Sequence, residues 1–162
     1  MPEFDGKTPK ILVITNNPLR ASFRLRIKEY LPYLEDAGIY TDVHKLPEST
    51  ISRYFLFQSA KNYNAVLLHK KCLNRFDATV LRLFSSKIIY DFDDAVMCSP
   101  SRPQAANTRH FKLFRRTAKM ADVVIAGNEY LAGHARRFCR NVYILPTGLD
   151  IKAFEKVKTY NN

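Results

Sequence analysis

The chain has 162 residues, 46% of them hydrophobic and 25% charged, a size that buries roughly two-thirds of the unfolded surface in one domain without metal or disulfide support and a composition that excludes general disorder. Lysine and arginine number 26 against 15 aspartates and glutamates, a formal charge of +11, which predicts an anionic partner such as phosphate, a lipid surface or nucleic acid. No apolar run approaches the ~20 residues of a membrane span and the opening residues lack a signal-peptide layout, so the expected compartment is the cytoplasm.

Residues 1–9 carry no apolar periodicity and read as a flexible N-terminus, as does the closing VKTYNN. KILVIT at 10–15 is continuously apolar and β-branched, as a strand buried on both faces requires. In the helix expected over SFRLRIKEYLPYLEDAG, Ser22 is the N-cap and Phe23, Ile27, Tyr30, Leu31 and Leu34 fall at helical spacing. Pro32 should kink it and Gly38 should stop it. IYTDVHKL at 39–46 alternates like a more exposed strand, and STISRYFLFQSAKNY reads as a helix capped by Ser49 or Thr50. AVLLHKK (65–71) is a third strand, FDATVLRLFSS (76–86) a helix and KIIYDFD (87–93) a fourth strand. A loop over 95–107, marked by Pro100 and Pro103, precedes a basic helix, TRHFKLFRRTAKM. DVVIAG (122–127) is a fifth strand, NEYLAGHARRFC a helix and VYILP (142–146) a sixth strand. Strict alternation of six strands with five helices predicts the α/β class: a Rossmann-like, doubly wound, mainly parallel six-stranded sheet with helices on both faces.

Sheets of this kind bind ligands beyond the carboxyl ends of their strands, so the residues that follow each strand are the candidates. After the first strand, NNPLRASFR contains Asn16, Asn17, Ser22 and Arg24 but no GxGxxG. A dinucleotide site is thereby disfavoured, while backbone N–H groups remain able to hold a phosphate. The third strand ends on His69, Lys70 and Lys71, and the fourth delivers Asp91, Asp93 and Asp94. Asp91 and Asp93 would share one face of the strand. Two such carboxylates can hold a hard cation through oxygen, or repel until one keeps its proton and serves as acid or base. In the structural alternative, Asp93 or Asp94 caps the next segment and Asp91 pairs with a neighbouring arginine or lysine. Cys72, Cys98 and Cys139 lack CxxC spacing and are odd in number, which points to a reducing compartment and against a cysteine zinc site.

Taken alone, IIYDFDDAV resembles the first motif of haloacid-dehalogenase-type phosphatases, whose first aspartate, here Asp91, is the nucleophile. Ala95 stands in place of that motif's threonine, and three strand–helix units precede it. Over Lys10 to Asp150 the chain resembles instead the N-terminal domain of family 4 glycosyltransferases of the GT-B fold. The resemblance rests on KILVIT with SFRLRIKEYLPYLEDAGI, on AVLLHK, on KIIYDFDD, on TAKMADVVIAGNEYLAGHA and on VYILPTGLD, in which Thr147 replaces the usual asparagine. It implies residues 10–150 as an acceptor-binding domain and 151–162 as the start of an interdomain linker. The donor-binding C-terminal domain, with its EX7E motif, is absent from this sequence, so the isolated domain is expected to be inactive. No metal or cofactor is implied, the nucleotide-sugar acting as co-substrate and the acceptor being a glycan, a lipid-linked sugar or a phosphorylated compound.

Under this resemblance Asp91 or Asp93 would orient or deprotonate the acceptor, or contact the donor sugar. The loop from Asn16 to Ser22 would approach the donor phosphates. Arg24, His69, Lys70 and Lys71 would border the acceptor cleft, and Asp94, Asn128 and Glu129 complete the expected binding set. A non-catalytic binding domain of the same fold is a further alternative. Residues 102–140 hold nine lysines and arginines against two acids, and Arg109, Lys112, Arg115, Arg116, Arg136 and Arg137 are the expected contacts to an anionic, inner-membrane surface. Nucleic acid is not expected as a partner, because the aromatic residues lie in the apolar stripes instead of alternating with basic ones.

Overall fold

The computed structural model describes residues 8–101 and 108–148; residues 102–107 of the expected proline-marked loop and all of 149–162 lie outside the described residues. Six strands form one sheet: β1 (Lys10–Thr15), β2 (Tyr40–Lys45), β3 (Ala65–His69), β4 (Ile88–Phe92), β5 (Val123–Ala126) and β6 (Val142–Ile144). Their order is β2-β1-β3-β4-β5-β6 and every pairing is parallel. The architecture is the Rossmann-like α/β fold that the alternation of elements predicts.

The intervening helices are α1 (Ala21–Arg26), α2 (Leu31–Asp36), α3 (Thr50–Ser59), α4 (Arg75–Phe84), α5 (Arg109–Met120) and α6 (Glu129–Arg136). Strand alternation sends Val13 to one side, where it packs with Phe23 of α1 and Ile27. Leu12, Ile14, Leu68, Tyr90 and Phe92 point to the other side, beneath Phe57 of α3, Leu81 of α4, Phe114 of α5 and Leu131 of α6. The chain therefore winds from β1 toward β2 over one face and from β2 through β6 over the opposite face, as right-handed crossovers demand. The winding reverses between β1 and β3, which opens a crevice at their carboxyl ends.

The single kinked helix expected over 22–38 is two helices separated by a 3₁₀ turn at Lys28–Tyr30. The break falls at Ile27, whose backbone leaves the helical region (φ −124°, ψ −58°) while its side chain stays buried against Val13. Pro32 lies in the first turn of α2, where its missing N–H has no intrahelical acceptor to lose, so it begins a helix and does not bend one. The residue at the N-cap is Arg20, not Ser22, and it makes no side-chain cap bond. Gly38 does end the run: at φ +73° it donates its N–H to Glu35 O at 2.8 Å, and Ile39 donates to Leu34 O at 2.8 Å. Asn74, Thr108 and Asn128 cap α4, α5 and α6, each side chain accepting from a backbone N–H three residues on. Cys72, Cys98 and Cys139 are all free thiols. Among the described residues no helix is long and apolar enough to cross a membrane.

Candidate functional site

The crevice between β1 and β3 holds a cleft of about 230 Å³. Six of the residues expected from the sequence line it: Asn16, Asn17, Ser22, His69, Lys70 and Asp94. Thr15, Arg20 and Val96 complete the lining. β1 runs straight into the cleft at Thr15, and the following loop is shaped by Asn17, whose side-chain carbonyl accepts from Leu19 N–H at 2.9 Å. β3 enters beside it. His69 pairs with Thr15 in the sheet register, and Thr15 Oγ1 shares a hydrogen bond with His69 Nδ1 at 3.1 Å.

Burial is the main force that pushes the His69 imidazole down to about 4, with the Lys70 charge adding to it against the opposing Asp93. His69 is therefore a neutral ring at neutral pH. Its Nε2 has no hydrogen-bond partner among the described residues and lies 3.9 Å from Asp91 Oδ2. Lys70 adopts φ +57°, a left-handed conformation that an L side chain rarely takes. Its N–H donates to Asp91 O at 2.8 Å, and its ammonium pairs with Asp93 Oδ1 at 3.0 Å and with Asp94 Oδ2. Burial opposes the Lys70 charge, but the two carboxylates outweigh it and hold the ammonium above its ordinary range.

Asp91 lies beneath the cleft. Arg26 Nη2 donates to its Oδ1 at 2.5 Å and Arg26 Nε to its Oδ2 at 3.1 Å, and the two side chains are 2% and 3% exposed. Burial raises the Asp91 carboxyl, and the guanidinium opposes that rise; the bidentate geometry keeps the pair ionised at neutral pH. Arg26 Nη1 also donates to Leu145 O at 2.8 Å and Thr147 Oγ1 at 3.2 Å. Each Asp91 oxygen thus accepts from Arg26, and the side chain is too buried to meet a substrate in solvent. Asp93 is 16% exposed, and Gly127 lets the end of β5 pass close to it: a Cβ at Gly127 would sit 3.0 Å from Asp93 Cα.

The remaining candidates are elsewhere. Arg24 is exposed on α1, outside the cleft. Asn128 spends its side-chain oxygen on Leu131 N–H at 3.0 Å, and Glu129 pairs with Arg136. The basic residues expected to form one face divide into several groups. Lys112, Arg115 and Arg116 line a groove between α4 and α5 with Arg75 and Lys119. Arg109 lines a different cleft, near the ends of β2 and β3. Arg136 is tied to Glu129, and Arg137 lies 5.9 and 5.6 Å from the rings of Phe111 and Phe138. The residue that sequence reasoning missed is Arg26. Its signal was available, because it lies three positions after Phe23 and so on the buried face of α1.

No protein-family model matches the chain, and no curated protein matches it in sequence. Among solved structures, the fold is similar to the crystal structure of Alr3699/HepE from Anabaena in complex with UDP, with a TM-score of 0.56 and 15% sequence identity. The match covers 90% of this chain and 46% of that one, so this chain spans less than half the length of the protein it resembles. At this identity the likeness shows a shared fold.

Two predictions follow from the buried charges. Arg26→Met leaves Asp91 buried without its partner and should lower unfolding free energy by about 3–5 kcal/mol, whereas the double variant Arg26→Met, Asp91→Leu should recover most of the loss; urea denaturation of the four proteins in this cycle measures it. His69 has a folded value below its ordinary 6.5, so the unfolded chain takes up the proton first as pH falls. Stability is full above pH 6.5 and declines toward pH 4. Between pH 7 and pH 5 the protein should lose about 2 kcal/mol more than His69→Gln does, read from urea midpoints at each pH.

Proposed function

We propose that this chain forms the acceptor-binding half of a glycosyltransferase, which moves a sugar from a nucleotide-sugar onto a hydroxyl presented in the cleft between β1 and β3. The observation that carries this reading is the set of groups gathered at the ends of β1, β3 and β4: a neutral imidazole, an ammonium and the Asp94 carboxylate line a cleft on the scale of one sugar ring, and Asp93 stands behind them, paired with the same ammonium. Carboxylates and neutral side-chain donors in a concave polar site are the chemistry that recognises sugar hydroxyls. The motif resemblance from Lys10 to Asp150 supports it, and so does a fold shared with a protein crystallised with UDP.

In this reading Asp93 and Asp94 accept hydrogen bonds from the acceptor, and Lys70 fixes both carboxylates in place. His69 presents Nε2 from below as a neutral partner. Asp91 is a positioning residue, because its oxygens are committed to Arg26. Residues 10–150 are the acceptor domain and 151–162 lead toward a second domain that holds the donor and supplies the positive groups for the departing diphosphate. The nucleotide-sugar is the co-substrate, and neither metal nor cofactor has a role. Transfer of radiolabelled sugar from a panel of nucleotide-sugars should fail with this chain alone and succeed with the product of the whole gene. Asp93→Asn and Asp94→Asn should each lower kcat in that product by about tenfold or more. A whole-gene product that transfers no sugar overturns the reading, as does a magnesium-dependent phosphatase activity abolished by Asp91→Asn.

A second observation bears on where the reaction runs. The groove between α4 and α5 is lined by the cations Arg75, Lys112, Arg115, Arg116 and Lys119 and by no acid, and Phe76 and Leu83 of α4 are exposed at 52% and 74%. We infer that this face rests on the anionic inner surface of a membrane, where each cation contributes up to ~1 kcal/mol. The protein should sediment with phosphatidylserine vesicles at low salt, and Lys112→Gln, Arg115→Gln, Lys119→Gln together should abolish sedimentation. Binding that is absent at low salt, or unchanged in the triple variant, excludes this face.

A further inference from the structure

A second, larger cleft of about 450 Å³ adjoins the one between β1 and β3. Asn16 lines both. The left-handed turn at Lys70 divides the end of β3 between them, so that Lys70 lines the smaller cleft and its neighbour Lys71 the larger. The larger cleft lies between the segment after β2, the segment from Lys71 to Asp77 and the first turn of α5.

Four cations line this space, Lys45, Arg53, Lys71 and Arg109, against Glu48 and Asp77. One cation and one acid cancel: Arg53 Nε lies 3.0 Å from Asp77 Oδ2, and Asp77 is further fixed by Asn74 Nδ2 at 2.8 Å. The α4 N-terminus offers little to a ligand, because Asn74 already accepts from Asp77 N–H. Lys45, Lys71 and Arg109 remain. Among the described residues none of the three pairs with a carboxylate. Lys71 is moreover half-buried, where salt screens its charge less than at the open surface. Three cations that pair with no carboxylate among the described residues, against the single exposed Glu48, give the concavity a net positive potential.

We propose that this second cleft is a phosphate-binding subsite, which holds the phosphate of an acceptor while the acceptor's hydroxyl reaches the smaller cleft. The order of the two clefts rests on the acceptor reading above, but the binding of phosphate here does not. A phosphate dianion matches the excess charge. Arg109 can engage two of its oxygens with a planar fork, and Lys45 and Lys71 act as point charges. The arrangement selects phosphorylated acceptors over neutral glycans, since a neutral ligand would leave the mutual repulsion of three cations around one concavity unrelieved.

Calorimetric titration with glycerol 3-phosphate, with glycerol as the neutral control, tests this on the intact protein. A second arm uses dihexanoyl phosphatidic acid below its micelle concentration, so that a lipid headgroup and a soluble phosphate are told apart. We expect saturable phosphate binding below about 10 mM and none for glycerol. Lys71→Gln and Arg109→Gln should each weaken it about tenfold or more, Lys71→Arg should restore it, and Lys61→Gln, an exposed lysine outside both clefts and the α4–α5 groove, should leave it unchanged. Binding of the soluble ester alone assigns a water-soluble acceptor, and tighter binding of the lipid assigns a lipid phosphate. Neither ligand binding, or equal binding by Lys71→Gln and Arg109→Gln, overturns the subsite. Its failure is distinct from that of the acceptor reading. Sugar transfer by the whole-gene product that is indifferent to Lys71→Gln and Arg109→Gln removes the subsite alone, whereas phosphate binding without any transfer removes the acceptor reading alone.

Discussion

The carboxyl edge of this sheet depends on one buried ion pair, Arg26 with Asp91. Removing two charges from water costs several kcal/mol for each ion, and such a cost is offset only where geometry is close to ideal and the remaining donors are satisfied. Both conditions hold here. The guanidinium meets the carboxylate through two nitrogens, and its third nitrogen reaches Leu145 O and Thr147 Oγ1. Three segments that are remote in sequence, α1, β4 and the stretch after β6, are thereby joined at one side chain. Apolar packing could hold α1 against Val13 without specifying where its last turn lies along the strand. A bidentate pair specifies that position, and with it the loop of Asn16 and Asn17 that forms one wall of the cleft.

The pair also decides how the other charges are used. With the Asp91 oxygens taken by Arg26, the Lys70 ammonium turns outward to Asp93 and Asp94. For His69, burial together with the Lys70 and Arg26 charges outweighs the opposing pull of Asp93 and Asp94 and leaves the ring neutral. The cleft therefore presents one carboxylate, Asp94, and one neutral ring, His69, with the Lys70 ammonium between them in the sequence and tied to the acids.

Much of this was legible in the sequence. The strands were, because a parallel sheet covered on its faces forces continuous apolar runs such as KILVIT and AVLL, which no amphipathic helix would tolerate. Gly38 announced itself as a stop. The break at Ile27 was not legible, because the spacing of Phe23, Ile27, Leu31 and Leu34 satisfies a helix whether or not the backbone is continuous. Arg26 was not legible for a related reason. Apolar periodicity passes over a charged residue on the buried face, and Arg24, which the same period places in solvent, looks no different from it. The basic run from residue 102 to 140 predicts one face, yet helical geometry separates it. Lys112, Arg115, Arg116 and Lys119 fall in one stripe, while Arg109 begins the helix at the other cleft and Arg136 and Arg137 belong to α6. That Arg75 joins the stripe depends on α4 packing beside α5, a non-local contact that no local pattern encodes.

The two aspartates of DFD show how far alternation carries and where it stops. Period two places Asp91 and Asp93 on one side of a strand, and a pair of carboxylates so placed demands positive charge. β4 ends at Phe92, however, so Asp93 leaves the sheet as Asp91 remains in it, and Gly127 gives Asp93 room to do so. The demand is then met twice and separately, by Arg26 from the helix below and by Lys70 from the strand beside. Two residues that look equivalent in the sequence acquire different work: one ties α1 to the edge of the sheet, and the other holds the Lys70 ammonium that lines the cleft.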